Sequence, residues 1–257
     1  MNDFVKEGSI VKKIWSNTDV ILFIFAGAAA QFSLNKAVDW LYFTGKLPKD
    51  PLGRLFSTVA YAQKIVFATT ENANIAIDQI TAIHQNVEAA RNSKIPDWAY
   101  RDVLFMLIDY SIRAYETLER KLTYAEKEEV FNVFNAVGLR MKINGLPTNY
   151  NDWITMHNQQ LQQNLIFGPF SEDLYLQYKK HLGSVRFTLM KRIQALIVPA
   201  EVNKLLKLGK GNFIQSIISG YKATRLIKLN EFFRNLILPT AYKAQIIGLA
   251  DINKNVS

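Results

Sequence analysis

Apolar residues return every three or four positions along almost the whole chain, and no stretch alternates apolar with polar side chains as a half-buried strand does. A period of 3.6 residues gathers apolar side chains on one helix face and does not suit a pleated strand. The chain is therefore confined to an all-α fold. The pattern predicts helices over 4–15, 19–43 with room for a break, 51–68, 71–91, 97–121, 123–142, 149–164, 171–197, 200–208, 213–236 and 239–249.

Local chemistry marks several of these ends. Asp50 is placed to cap a helix whose first turn holds Pro51, where a missing N–H costs nothing. Thr123 and Glu126 have the spacing of a capping box, each side chain satisfying a free amide. Gly145-Leu146-Pro147 is expected to stop the helix before it. No internal repeat or low-complexity linker intervenes. Residues 1–257 read as a single all-helical domain, with 200–257 a C-terminal helical cover and Lys204–Gly211 the nearest approach to a hinge.

Composition narrows the chemistry. The chain has no cysteine, which removes disulfides, thiolate haem ligation, Fe–S clusters, cysteine-rich zinc sites and covalent haem attachment. There is no phosphate-cradling glycine loop, nucleophile elbow or His-Glu-x-x-His motif, so hydrolase, kinase and zinc-enzyme readings lose ground. Val20 to Ala30, the most apolar run, is roughly half the length a bilayer needs and is closed by Asp19 and Gln31. A buried helix is expected there. With no signal peptide recognised at the N-terminus, the expected location is cytoplasmic, or peripheral at a membrane. The net charge of +9 suits an anionic partner. Lys204, Lys207, Lys210, Lys222, Arg225, Lys228, Arg234 and Lys243 lie among Leu, Ile and Phe, as on a helix resting against an anionic membrane surface or on a plain solvated face. No nucleic-acid partner is expected.

A chain with three histidines and no cysteine has few ways to hold a metal, and one is a single His ligand to a haem iron. Ala73, Ile77, Ile80, His84 and Val87 recur at spacings of three and four, so His84 shares the apolar face of its helix, with Asp78, Gln79, Gln85, Asn86 and Glu88 largely on the other sides. Two roles fit it: a core histidine satisfied by a carbonyl or carboxylate, and a metal or haem ligand. Arg54 and Thr58, at i and i+4, are neighbours on another helix. They are either a solvent-facing arginine with a threonine bonded to its own helix, or a pair serving a haem propionate and the iron. Asp102, Asp109, Arg113 and Glu116 form a polar seam in which Asp109–Arg113 is spaced for an ion pair. Asp39 and Trp40 are a further candidate acid and pocket wall. His157 and His181, with polar neighbours, read as surface or structural residues.

The ordered set Asp50-Pro-Leu-Gly-Arg54-Leu-x-x-Thr58, Tyr61, Val66-Phe67 and Ile83-His84-x-x-Val87 resembles the catalytic domain of rubber oxygenases (latex-clearing proteins) and mpaB-type oxygenases. Leu122-Thr-Tyr-Ala-Glu126 and Asn144-Gly-Leu-Pro147 fall where that family has similar turns. The likeness is clear over 15–165 and looser beyond. It implies a buried, non-covalent haem b between helices, with His84 as iron ligand and Arg54 and Thr58 near the haem. By that analogy the protein uses O2 on a hydrophobic substrate, an isoprenoid or other alkene held in an apolar tunnel.

Three departures qualify it. Ser57 stands where rubber oxygenases have a lysine able to reach the iron. Leu107-Ile108-Asp109 replaces an aromatic-Val-His cluster, and Asp39 matches the family's catalytic glutamate only approximately in position. The alternative function is a non-catalytic haem- or lipid-binding helical protein that associates with membrane surfaces.

Overall fold

A computed structural model describes residues 2–45 and 49–209, and it is all-α. The helices among the described residues are α1 (Ile10–Ser16), α2 (Thr18–Leu34), α3 (Val38–Phe43), α4 (Pro51–Val66), α5 (Thr70–Arg91), α6 (Asp97–Leu118), α7 (Tyr124–Arg140), α8 (Tyr150–Gln163), α9 (Pro169–Ile197) and α10 (Ala200–Leu206). The expected helices over 213–236 and 239–249 lie outside the described residues, as do the basic positions Lys210, Lys222, Arg225, Lys228, Arg234 and Lys243.

The centre of the fold is α2, buried along nearly its whole length and packed by α6, α9, α1 and α4. A helix that is apolar on every side has no face to offer water, so its neighbours must surround it. Among the described residues no single helix is long and apolar enough to cross a membrane. The α1–α2 pair reaches that length and hydropathy only across a bend of 85°.

The expected run 19–43 breaks at Asn35. Its Oδ1 accepts from the Ala37 amide at 2.8 Å and its Nδ2 donates to Asp102 at 2.7 Å, turning the chain into α3. Asn164 also donates to Asp102, so one buried carboxylate ties the ends of α2 and α8 to α6. Fully buried Trp15 is a second junction. Its indole donates to Ser111 at 3.2 Å, its carbonyl accepts from Gln63 at 2.8 Å, and its ring meets Phe134.

The Asp50–Pro51 start of α4 and the Thr123–Glu126 capping box of α7 form as expected. Three boundaries differ. The N-terminal helix begins only at Ile10, because Phe4 and Thr70 are paired to the opposite backbones of Ala68 and Asn2. The helix α7 stops at Arg140, where Lys142 turns left-handed (φ 58°) and the Ile143 amide reaches back to Gly138, so Gly145 is a loop residue and not the stop. Within α9, Gly183 (φ 75°, ψ 164°) breaks what the periodicity reads as one helix.

The helices α4 and α5 are joined by only Phe67–Thr69, which folds them back on each other. In such a hairpin, residues equally far from the turn lie level. Arg54 is 12 residues before Val66 and His84 is 14 residues after Thr70, so the connection itself carries the two to the same height.

Candidate functional site

Arg54 lies in the first turn of α4, largely buried despite its charge. Burial disfavours the protonated guanidinium, and no carboxylate among the described residues pairs with it. Its Nη1 donates to Ser57 Oγ at 3.1 Å and to Thr58 Oγ1 at 3.4 Å. Both hydroxyls in turn lean on the Arg54 carbonyl, Ser57 at 2.7 Å and Thr58 more weakly at 3.5 Å. The threonine does bond back to its own helix, but the arginine does not face solvent. A buried cation with only neutral partners is incomplete, because desolvation is offset fully only by an opposite charge.

His84 is half-buried on α5, level with Arg54. The apolar face that carries it is fully buried at Ala73 and Ile77 and opens toward Ile80, His84 and Val87. Burial first, and then the Arg54 charge, bring the imidazole pKa down to about 4. Glu88 and the Ile80 carbonyl act weakly the other way. Its buried Nδ1 makes no hydrogen bond of regular geometry. A neutral ring with lone-pair density and no side-chain hydrogen bond is the state a metal ligand requires.

This has a consequence in acid. The unfolded ring titrates near its usual 6.5, so between about 6.5 and 4 the unfolded chain holds more protons, and folding stability falls as pH falls through that window. The loss attributable to His84 is at most about 3 kcal/mol and is reduced by the ring's partial exposure. Asp102, whose carboxyl burial pushes up to about 6, gives the opposite slope in the same window. The readout is therefore a difference. In urea unfolding of the purified protein from pH 7 to pH 4, His84→Gln should lose less stability than the wild type, and parallel curves would show that folding does not disfavour the charged ring.

Two residues that the sequence reading left aside complete the surroundings. Glu88, expected on another side of α5, turns inward: its Oε1 accepts from Tyr100 Oη at 3.1 Å and from the Ile95 amide at 2.9 Å. Its i+4 spacing from His84 is the signal that could have found it. The Tyr100 ring stands edge-on to the imidazole, with centroids 5.2 Å apart and planes at 88°.

Asp39 is not brought to the imidazole by any contact. It pairs with Arg91 at 2.8 Å, two turns beyond His84 on α5, and that guanidinium lies over the Trp40 ring at 4.1 Å. In the polar seam of α6 the Asp109–Arg113 pair forms at 2.6 Å, while Glu116 binds Lys121 and Lys127. His157 is a core residue, stacked on Trp153 and 3.5 Å from Asp109. The chain thus sets an imidazole from α8 beside the position where the resemblance leads one to expect a histidine on α6. His181 is half-buried on α9.

Fold and site together define an all-helical protein with a neutral imidazole level with a largely buried guanidinium that pairs with no carboxylate among the described residues. The catalytic-domain model of the ER-bound oxygenase mpaB/B′ and rubber oxygenase family matches residues 13–209, and the chain belongs to that family. The match extends past the resemblance seen over 15–165, through α9 and α10. No curated protein matches the chain.

Proposed function

We propose that the protein is a haem b-dependent oxygenase that uses O2 on a hydrophobic substrate of the isoprenoid or other alkene class. The observation that carries this is the pairing of one unmet need with another: a neutral imidazole on α5 with no side-chain hydrogen bond, and a largely buried guanidinium on α4 with no carboxylate partner among the described residues. Haem has one group for each, an iron that takes a neutral imidazole and propionates that take a guanidinium. His84 would hold the iron and Arg54 a propionate, and bound haem would supply the redox chemistry with O2.

The chain's own residues set the terms of that binding. Burial, and then the Arg54 charge, favour the unprotonated His84 ring, so the ligand lone pair is available at neutral pH without proton release. Ser57 and Thr58 hold the guanidinium against its own helix, which fixes where an anion can meet it. Ser57 offers no amine, so a lysine-capped iron is not expected here. For Asp39 to act as an acid, its pair with Arg91 would have to open. Lys204 and Lys207 begin the basic stretch that would face an anionic membrane surface.

The test is optical. Titration of the purified protein with haem should give a Soret band that is lost, or at least tenfold weaker in affinity, in His84→Ala. An unchanged band in that variant removes His84 as ligand. O2 consumption with a polyisoprenoid alkene then supports the oxygenase, whereas haem binding without consumption leaves the non-catalytic haem- or lipid-binding alternative.

A further inference from the structure

Metal-ligating histidines are ordinarily oriented by a hydrogen bond from their second ring nitrogen to a carboxylate or carbonyl. In His84 that device is weak: its Nδ1 is buried and makes no hydrogen bond of regular geometry, although the Ile80 carbonyl lies on its side. Some other contact must set the plane of the ring.

We propose that Tyr100, pinned by Glu88, is the positioning residue that fixes the plane of the His84 imidazole. This rests on the reading of His84 as the haem ligand. The Tyr100 ring meets the imidazole edge to face at 5.2 Å, a geometry that turning either ring would destroy. The phenol cannot swing freely, because its hydroxyl donates to Glu88 Oε1. Glu88 cannot follow it either. The same oxygen accepts the Ile95 amide, and the Glu88 carbonyl accepts the Ser93 amide at 3.1 Å, so both ends of the residue are tied into the turn after α5. The left-handed Asn92 (φ 49°) closes that turn and delivers α6, with Tyr100 in its first turns, back alongside His84. The hairpin linking α5 to α6 therefore supplements a weak backbone contact with a braced aromatic ring.

Haem titration and the ferric electron paramagnetic resonance spectrum of the bound protein test this together. Tyr100→Leu should weaken haem binding roughly tenfold and split the single axial-ligand spectrum into several species. Tyr100→Phe, which keeps the ring but frees it from Glu88, should weaken binding about threefold and show partial splitting, and Glu88→Gln, which keeps an acceptor oxygen, should stay near the wild type. Wild-type affinity with a single unchanged spectrum in Tyr100→Leu overturns the proposal. So does a lower melting temperature with an unchanged spectrum per bound haem, which is the signature of a merely structural role.

The haem-free protein gives an independent arm, because the Tyr100 ring should displace the His84 ring-proton resonances. That displacement should vanish in Tyr100→Leu and persist in Tyr100→Phe; resonances unmoved in Tyr100→Leu overturn the brace. Wild-type protein that takes up no haem overturns the ligand reading instead, and the ring-proton arm separates the two failures. Should Tyr100→Leu not fold, an unsplit spectrum in Tyr100→Phe is the overturning result.

Discussion

Asp109→Ala is expected to lower the free energy of unfolding by about 3 to 5 kcal/mol, measured by urea denaturation at pH 7. Burial alone would raise the Asp109 carboxyl, yet His157 and Arg113 bring it below the usual carboxylate range, so the charge is held in the core by its partners. Arg113 Nε donates to it at 2.6 Å and His157 Nε2 lies at 3.5 Å, at the long limit of a hydrogen bond. Removing the carboxylate also takes away the oxygen that lies 3.5 Å from His157 Nε2, in a ring packed among Trp153 and Phe105. Arg113 is partly exposed and can find water, which places the loss nearer the lower figure. Asp109→Asn should recover part of it, since a carboxamide oxygen can still accept from Arg113. A loss below about 1 kcal/mol would mean that the network does not hold α6 to α8.

Gly27→Ala should be nearly as damaging, at about 3 kcal/mol by the same measurement, because it overfills the close crossing of α2 and α6. A Cβ at residue 27 would come within 2.3 Å of Tyr110 Cδ1 and 2.4 Å of Cε1, with Ile197 Cδ1 at 3.0 Å. The Tyr110 ring cannot simply retreat, since it is fully buried and its hydroxyl donates to Gln31, one turn from Gly27, at 2.9 Å. The strain must therefore pass into the spacing of α2 and α6. Tyr110→Leu in the same chain should relieve much of it, giving a double variant more stable than the sum of the single losses predicts. Additive losses would show that the ring is not the obstacle.

Both predictions concern contacts between helices far apart in the chain, and that is where the sequence stops being legible. Asp109 and Arg113 are one turn apart on one helix, so their pairing follows from spacing alone. That His157 joins them does not: its sequence neighbours Asn158 and Gln159 are polar, and only the packing of α8 on α6 buries it. At the candidate site, periodicity puts His84 on the inner face of α5, and the short α4–α5 link sets Arg54 level with it. The edge-on Tyr100 and its bond to Glu88 depend on how α6 returns after Asn92, which no local pattern encodes. The guanidinium partner of Asp39 likewise arrives from α5, 52 residues further along.

The sequence by itself determined the helical class, the burial of α2, the caps at Asp50 and Thr123, and the face that carries His84. Each of these depends on residues within about a turn or two of one another, where backbone geometry and solvation leave few choices. Tertiary structure alone decided the break at Gly183, the early end of α7 and the partners of Asp102 and Asp39. Those outcomes are settled by which distant groups can meet once the core is closed, because a buried polar atom takes whichever partner the packing brings within reach.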